Sequence, residues 1–154
     1  MKYINKDITT VGGRSVILHG CNDQNRMGSG VAKAIYTKWP EVKEKYHQYG
    51  DYCDREKLPM ELGYVSFVWV KDDIMVLNGI TQHKFGYDGN KYARPSAILK
   101  CLIKACEWCI ATGFQLYIPR IGSGLGGLDW ETEVVPLVNS VEMAYEMEII
   151  VCDY

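Results

Sequence analysis

The 154-residue chain has little net charge, few prolines and no long apolar run. Its formal net charge is −2, and its 17 Lys and Arg residues are dispersed along the sequence. Without a basic run there is no electrostatic footprint for a nucleic-acid polymer, so a nucleotide partner is expected to be small. No apolar stretch approaches the roughly 20 residues needed to span a bilayer. Met1-Lys2-Tyr3-Ile4-Asn5 also lacks the apolar segment of a signal peptide. A cytoplasmic protein with no membrane partner is therefore expected. Paired CxxC or CxxH elements are missing too; only Cys106-Glu107-Trp108-Cys109 has that spacing, and no structural metal is expected. No DxD-like carboxylate cluster suits Mg²⁺. Nor is there an internal repeat, linker or low-complexity segment, and residues 1–154 read as one domain working as a monomer.

Hydrophobic residues make up 47% of the chain, enough for a real core at this length. Six cysteines are present, at 21, 53, 101, 106, 109 and 152. Three of them share an apolar helical face with Leu102, Ile103 and Ala105, which reads as buried free thiols rather than disulfides.

Apolar segments alternate in type. Ser15 to His19 is short and continuously apolar at its centre, as in a strand covered on both faces. Val31, Ala34, Ile35 and Trp39 then recur at helical spacing as far as Pro40, where a second helix with Val42, Tyr46 and Tyr49 begins. Asp51 to Met60 is polar and reads as a loop. Leu62 to Val70 and Ile74 to Ile80 read as a hairpin turning at Lys71-Asp72-Asp73. Thr81 to Arg94 has the composition of a functional surface loop. Ser96 to Thr112 is an amphipathic helix ended by Gly113, and Phe114 to Ile118 is the next strand. Asp129 to Met147 has helical period, with Pro136 arguing for a late start or a kink. Glu148 to Cys152 closes as a strand. This alternation predicts an α/β fold: a three-layer α/β/α sandwich around a mixed, mostly parallel sheet.

Two glycine-rich turns stand out. Arg26-Met27-Gly28-Ser29-Gly30 and Ile121-Gly122-Ser123-Gly124-Leu125-Gly126-Gly127 each follow a strand-like run and precede a helix-like one. Unpaired N–H groups at a helix start favour anions, and glycine lets phosphate oxygens come close. In such sheets ligands lie beyond the carboxyl ends of the strands, so the two turns are expected to clamp a diphosphate there. Tyr87 and Tyr92 flank the glycines of the central loop and Phe85 is placed to close a cleft, whereas the four tryptophans read as serving the core or its margins. Lys84 and Arg94 read as solvated charges.

Over nearly its whole length the chain resembles the macro domains, the ADP-ribose-binding modules. Lys6-Asp7-Ile8-Thr9 resembles a Gly-Asp-Ile-Thr segment, which implies that Asp7 accepts from the adenine amino group with Ile8 beside it. His19-Gly20-Cys21-Asn22, followed by Gly28-Ser29-Gly30-Val31-Ala32, resembles the first substrate loop and implies that Asn22 contacts the distal ribose. Ile118-Pro119-Arg120-Ile121-Gly122-Ser123-Gly124 resembles the diphosphate loop, which with Leu125 and Gly126 completes the implied ligand-binding set. No cofactor is implied.

The resemblance is closest to the branch holding ADP-ribose 1″-phosphate phosphatases and ADP-ribosyl-glutamate hydrolases. The hydrolases use a Lys and an Asp where this sequence has Gln82 and Gly126, neither of which is a nucleophile or a titrating base. The phosphatases are matched at Gly126-Gly127-Leu128-Asp129-Trp130. The implied activity is thus metal-independent hydrolysis of ADP-ribose 1″-phosphate. Asp129 is the expected general acid or base, His19 a proton shuttle, and Asn22 the holder of the terminal ribose. ADP-ribose binding without turnover and removal of ADP-ribose from protein are the alternatives.

Overall fold

The computed structural model describes residues 1–154. Strands β1 (Lys2–Asn5), β2 (Ser15–Asn22), β3 (Val65–Lys71), β4 (Ile74–Gln82), β5 (Gln115–Ile118) and β6 (Ile150–Asp153) form one sheet in the order β1-β6-β5-β2-β4-β3. Every pairing is parallel except the β3–β4 hairpin. Four helices cover the sheet: α1 (Gly30–Lys38), α2 (Pro40–Glu56), α3 (Pro95–Thr112) and α4 (Val135–Tyr145).

Alternation along β2 shows how the layers are built. Val16 and Leu18 enter a cluster with α3 and α4 residues such as Ile98, Leu102, Val138 and Val141. Ile17, between them, points to the opposite face and packs with Ile35, Trp39 and Val42 of the α1–α2 segment. All three β2 residues are fully buried. Burial of such side chains contributes about 1.5–3 kcal/mol each, which accounts for a strand apolar on both faces. A third, smaller cluster of Cys21, Met27, Tyr46, Cys53, Met60 and Ile80 lies where α2 meets the end of β2 and the start of the first glycine turn.

The helix boundaries follow the local chemistry. Pro40 occupies the first turn of α2, where its missing N–H costs nothing, and Gly113 ends α3 in the left-handed conformation. Pro136 marks a late start: a wide π-type turn over Trp130–Val134 precedes α4. All six cysteines are free and buried, and burial pushes the thiols of Cys101, Cys106 and Cys109 up to about 12. No helix is long and apolar enough to cross a membrane.

Two segments depart from the sequence expectation. Asp51 to Met60 was expected to be a loop, but α2 continues to Glu56. In that stretch only Cys53 faces inward, so the polar pattern is that of an exposed helix face rather than a coil. Lys2–Asn5 forms an edge strand with no alternation to reveal it; within the sheet it pairs, in parallel, with β6 alone.

Candidate functional site

The chain leaves β2 toward α1 on one face of the sheet and leaves β5 toward α4 on the other. Adjacent strands whose continuations diverge leave a crevice at their carboxyl ends. Here it is a cleft of about 810 Å³. One wall is the first turn, Arg26 through Ala32, and another is Pro119–Gly122 with Gly124 and Leu125. The floor includes Gly20 and Cys21, and Gln82, Phe85, Gly86 and Tyr87 close the β4 side.

Asn22 shapes the first turn. Its Oδ1 accepts from Gln24 N–H at 2.9 Å and from the Tyr46 hydroxyl at 2.9 Å, while its Nδ2 donates to Arg26 O at 2.6 Å. The Tyr46 hydroxyl in turn accepts from Arg26 N–H at 3.0 Å. Beyond Arg26 the backbone N–H groups of Gly28, Ser29, Gly30 and Val31 donate to no protein group. Gly30, at φ +64°, turns these donors into the first turn of α1.

The second turn is folded by its own backbone. Ser123 N–H donates to Arg120 O at 3.1 Å, Leu128 N–H to Gly122 O at 3.0 Å, and Tyr92 and Ala93 N–H to Gly126 O at 2.9 and 3.0 Å. This leaves the N–H groups of Gly122, Gly124 and Leu125 without protein partners on the opposite wall. Two rows of unpaired amides thus line one cleft. Arg26 adds a cation with no ion-pair partner, whereas Arg120 is tied to Asp153 at 2.8 Å.

The cleft is lined by Asn22, Gly28, Ser29, Gly30, Val31, Ile121, Gly122, Gly124 and Leu125 of the residues singled out from the sequence. The remainder lie elsewhere. Ile8 is core, and Asp7 caps the short turn Ile8–Thr10 by accepting from Thr9 N–H at 2.9 Å. Ser123 and Gly126 lie behind the wall. A Cβ on Gly126 would come within 2.6 Å of Gly122 O and 2.9 Å of Ala93 Cβ.

The structure does not bring the two expected proton carriers to the cleft. His19 is 1% exposed and packed beneath it. The Asn78 amide donates through Nδ2 to Val42 O, so its Oδ1 must accept, and His19 Nε2 donates to it at 2.5 Å. Burial holds this imidazole down to about 4, so it stays neutral. Asp129 is exposed and caps the turn before α4, accepting from Thr132 N–H and Oγ1 at 2.9 Å. That N–H is the main cause of its lowered pKa, which suits a cap better than an acid.

His47, which the sequence did not single out, lines the cleft. Its Nδ1 meets Asn25 Oδ1 at 2.7 Å, and Asn25 Nδ2 donates to Asp51 Oδ1 at 2.9 Å and Asp54 Oδ2 at 3.4 Å. Nothing local marks it, because it sits on the helical pattern of α2 and its partner is 22 residues earlier. Beside the cleft Asp23 binds His83 Nδ1 at 2.7 Å and Lys84 N–H at 2.9 Å. Burial raises the Asp23 pKa, but these donors with Gln24 outweigh it and hold the carboxylate below its ordinary range.

The fold and cleft define a three-layer α/β/α protein with an anion-facing crevice at its strand ends. A scan against protein-family models finds no match. Among solved structures, a macrodomain protein from Streptomyces coelicolor is 30% identical, with a TM-score of 0.82 over 99% of this chain and 98% of that one. A Bacteroides thetaiotaomicron protein of unknown function is 32% identical, with a TM-score of 0.87 over 99% and 97% of the two chains. An ADP-ribose 1″-phosphate phosphatase from Lodderomyces elongisporus is 28% identical over 88% of this chain and 89% of its own length. The chain belongs to the macrodomain family.

Proposed function

We propose that this protein binds ADP-ribose 1″-phosphate in the cleft and hydrolyses its terminal monoester to ADP-ribose and phosphate. The carrying observation is the pair of unpaired amide rows, Gly28 to Val31 and Gly122, Gly124 and Leu125, on facing walls. Preorganised N–H donors of this kind suit a diphosphate, whose oxygens take several bonds without a counter-cation. The cleft volume suits a ligand of dinucleotide size. The Lodderomyces elongisporus relative supports the terminal phosphate as the reacting group.

Asn22 lines the cleft with its side chain already oriented by Tyr46 and Gln24, and the resemblance to the macro domains supports it as the holder of the terminal ribose. Binding energy from the diphosphate then fixes the monoester for in-line attack by water. Removal of ADP-ribose from glutamate by a Lys–Asp pair is disfavoured. Gln82 stands for the Lys, and Gly126 has no room for a carboxylate.

The test is isothermal calorimetry with ADP-ribose together with phosphate release from ADP-ribose 1″-phosphate. Binding and release are both expected. Binding with no release would leave an ADP-ribose reader, and no binding would overturn the proposal.

A further inference from the structure

The cleft contains one imidazole, and its protonation pattern is set by its neighbours. Asp51 and Asp54 are acceptors, so the Asn25 amide must turn Nδ2 to them and Oδ1 to His47. His47 must therefore donate through Nδ1. Its Nε2 then carries the lone pair, and no protein group donates to it. Carboxylate, amide and imidazole form a chain that fixes the ring as an orienting partner fixes a base.

The fold maintains this chain at some cost. Asn25 sits in the left-handed region at φ 58°, which asparagine tolerates better than most residues. Gly50 leaves the space on α2 that the Asn25 side chain fills; a Cβ there would lie 2.9 Å from Asn25 Cβ and collide with its amide. Tyr46 packs edge-on to the ring at 5.2 Å.

Position supplies the direction. Along the sheet the second glycine turn follows β5, then comes β2, then β4, with α2 packed over β4 and β3. A ligand whose diphosphate spans the two turns has one end over β5. With Asn22 holding the terminal ribose as proposed above, the ligand's other end lies on the side of the cleft lined by Asn22, Gln82 and His47.

We propose that His47 is the general base for hydrolysis at that end. The assignment rests on the phosphatase reading above. A water gives its proton to His47 Nε2 as its oxygen forms the new bond to phosphorus. The bond from phosphorus to the C1″ oxygen breaks, and its electron pair stays on that oxygen, which takes a proton from solvent. The imidazolium then releases its proton to solvent, leaving ADP-ribose, phosphate and the neutral ring.

The charged surroundings agree. Lys43 and Asp51 lie near the ring on α2 itself, Asp54 reaches it through Asn25, and Arg26 and Arg120 are the cations on the cleft. Burial, followed by Lys43, lowers the His47 pKa, with Asp51 opposing. A base must be neutral to work, so kcat should fall on the acid side.

The experiment compares wild type with His47→Asn, whose amide keeps a donor near the Nδ1 position, and with His47→Gln. Phosphate release is followed from pH 4 to 9, with ADP-ribose affinity and thermal unfolding measured on each protein. Both variants are expected to fold and to bind ADP-ribose within about threefold of wild type, while kcat falls by about 100-fold or more and the acid limb assigned to His47 disappears. The substrate's own ionisation stays common to all three proteins. If both variants keep wild-type kcat and pH profile, His47 is not the base and the hydrolytic function stands. If wild type binds ADP-ribose but releases no phosphate, the function itself fails and the base falls with it.

Discussion

Asn25 and Gly50 are complementary across the joint between the first glycine turn and α2: the asparagine side chain occupies the volume that any Cβ at position 50 would need. Glycine inside a helix ordinarily costs about 0.5–1 kcal/mol relative to alanine. Here the sign should reverse. Gly50→Ala is expected to lower stability by about 1 kcal/mol net, because overpacking of about 1–3 kcal/mol exceeds the helix gain. Urea unfolding with an unchanged m-value measures this. A stabilised variant would show that the joint yields freely.

The open glycines should behave differently. A Cβ on Gly28 or Gly124 meets nothing within 4 Å, and neither residue has positive φ. Gly28→Val and Gly124→Val are therefore expected to keep the wild-type melting temperature. Both side chains would enter the cleft, so ADP-ribose affinity should drop by about tenfold or more, a loss of about 1.4 kcal/mol. Unchanged affinity in both variants would remove the diphosphate from between the two turns.

His19 should make stability depend on pH. Its folded pKa is about 4 against an ordinary 6.5. Between those values the unfolded chain holds a proton that the folded chain does not. The stabilising difference is therefore fully present above 6.5 and is lost as pH falls toward 4, by about 3 kcal/mol in all at 1.36 kcal/mol per unit. His19→Gln keeps an N–H donor for Asn78 but does not titrate. Denaturation curves at pH 7 and pH 4.5 should show a smaller acid loss in the variant; equal losses would mean that His19 is protonated in the folded state.

Asp129→Ala separates a cap from an acid. Losing the bonds to Thr132 should lower the thermal midpoint. Phosphate release measured well below that midpoint should keep its wild-type kcat, since Asp129 does not line the cleft. A large loss of kcat with ADP-ribose binding intact would return Asp129 to the chemistry.

The sequence was most legible where burial is one-sided or complete. Ser15 to His19, the hairpin at Lys71-Asp72-Asp73 and the helix ended by Gly113 carry their pattern within a few residues, and each formed as expected. Both glycine turns were visible because their residue types are unusual in themselves. What could not be read locally is contact across the chain. The last turns of α2 looked like a coil because only one of their side chains faces inward. His19 and Asp129 were attractive by residue type and neighbourhood, yet strand alternation buries one beneath the cleft and the turn before α4 employs the other. His47 was missed for the converse reason: its partner Asn25, and the Gly50 notch that seats that partner, come together only when α2 folds back over the turn.

The six sealed thiols make the intact molecule nearly invisible to alkylating reagents, so labelling counts molecules that have opened. Cys21 differs from the other five in lying on the cleft floor. The chain therefore carries an internal gauge: a ligand that binds the folded cleft should slow labelling of all six sulfurs together, Cys21 included, because each is reached only when the molecule opens.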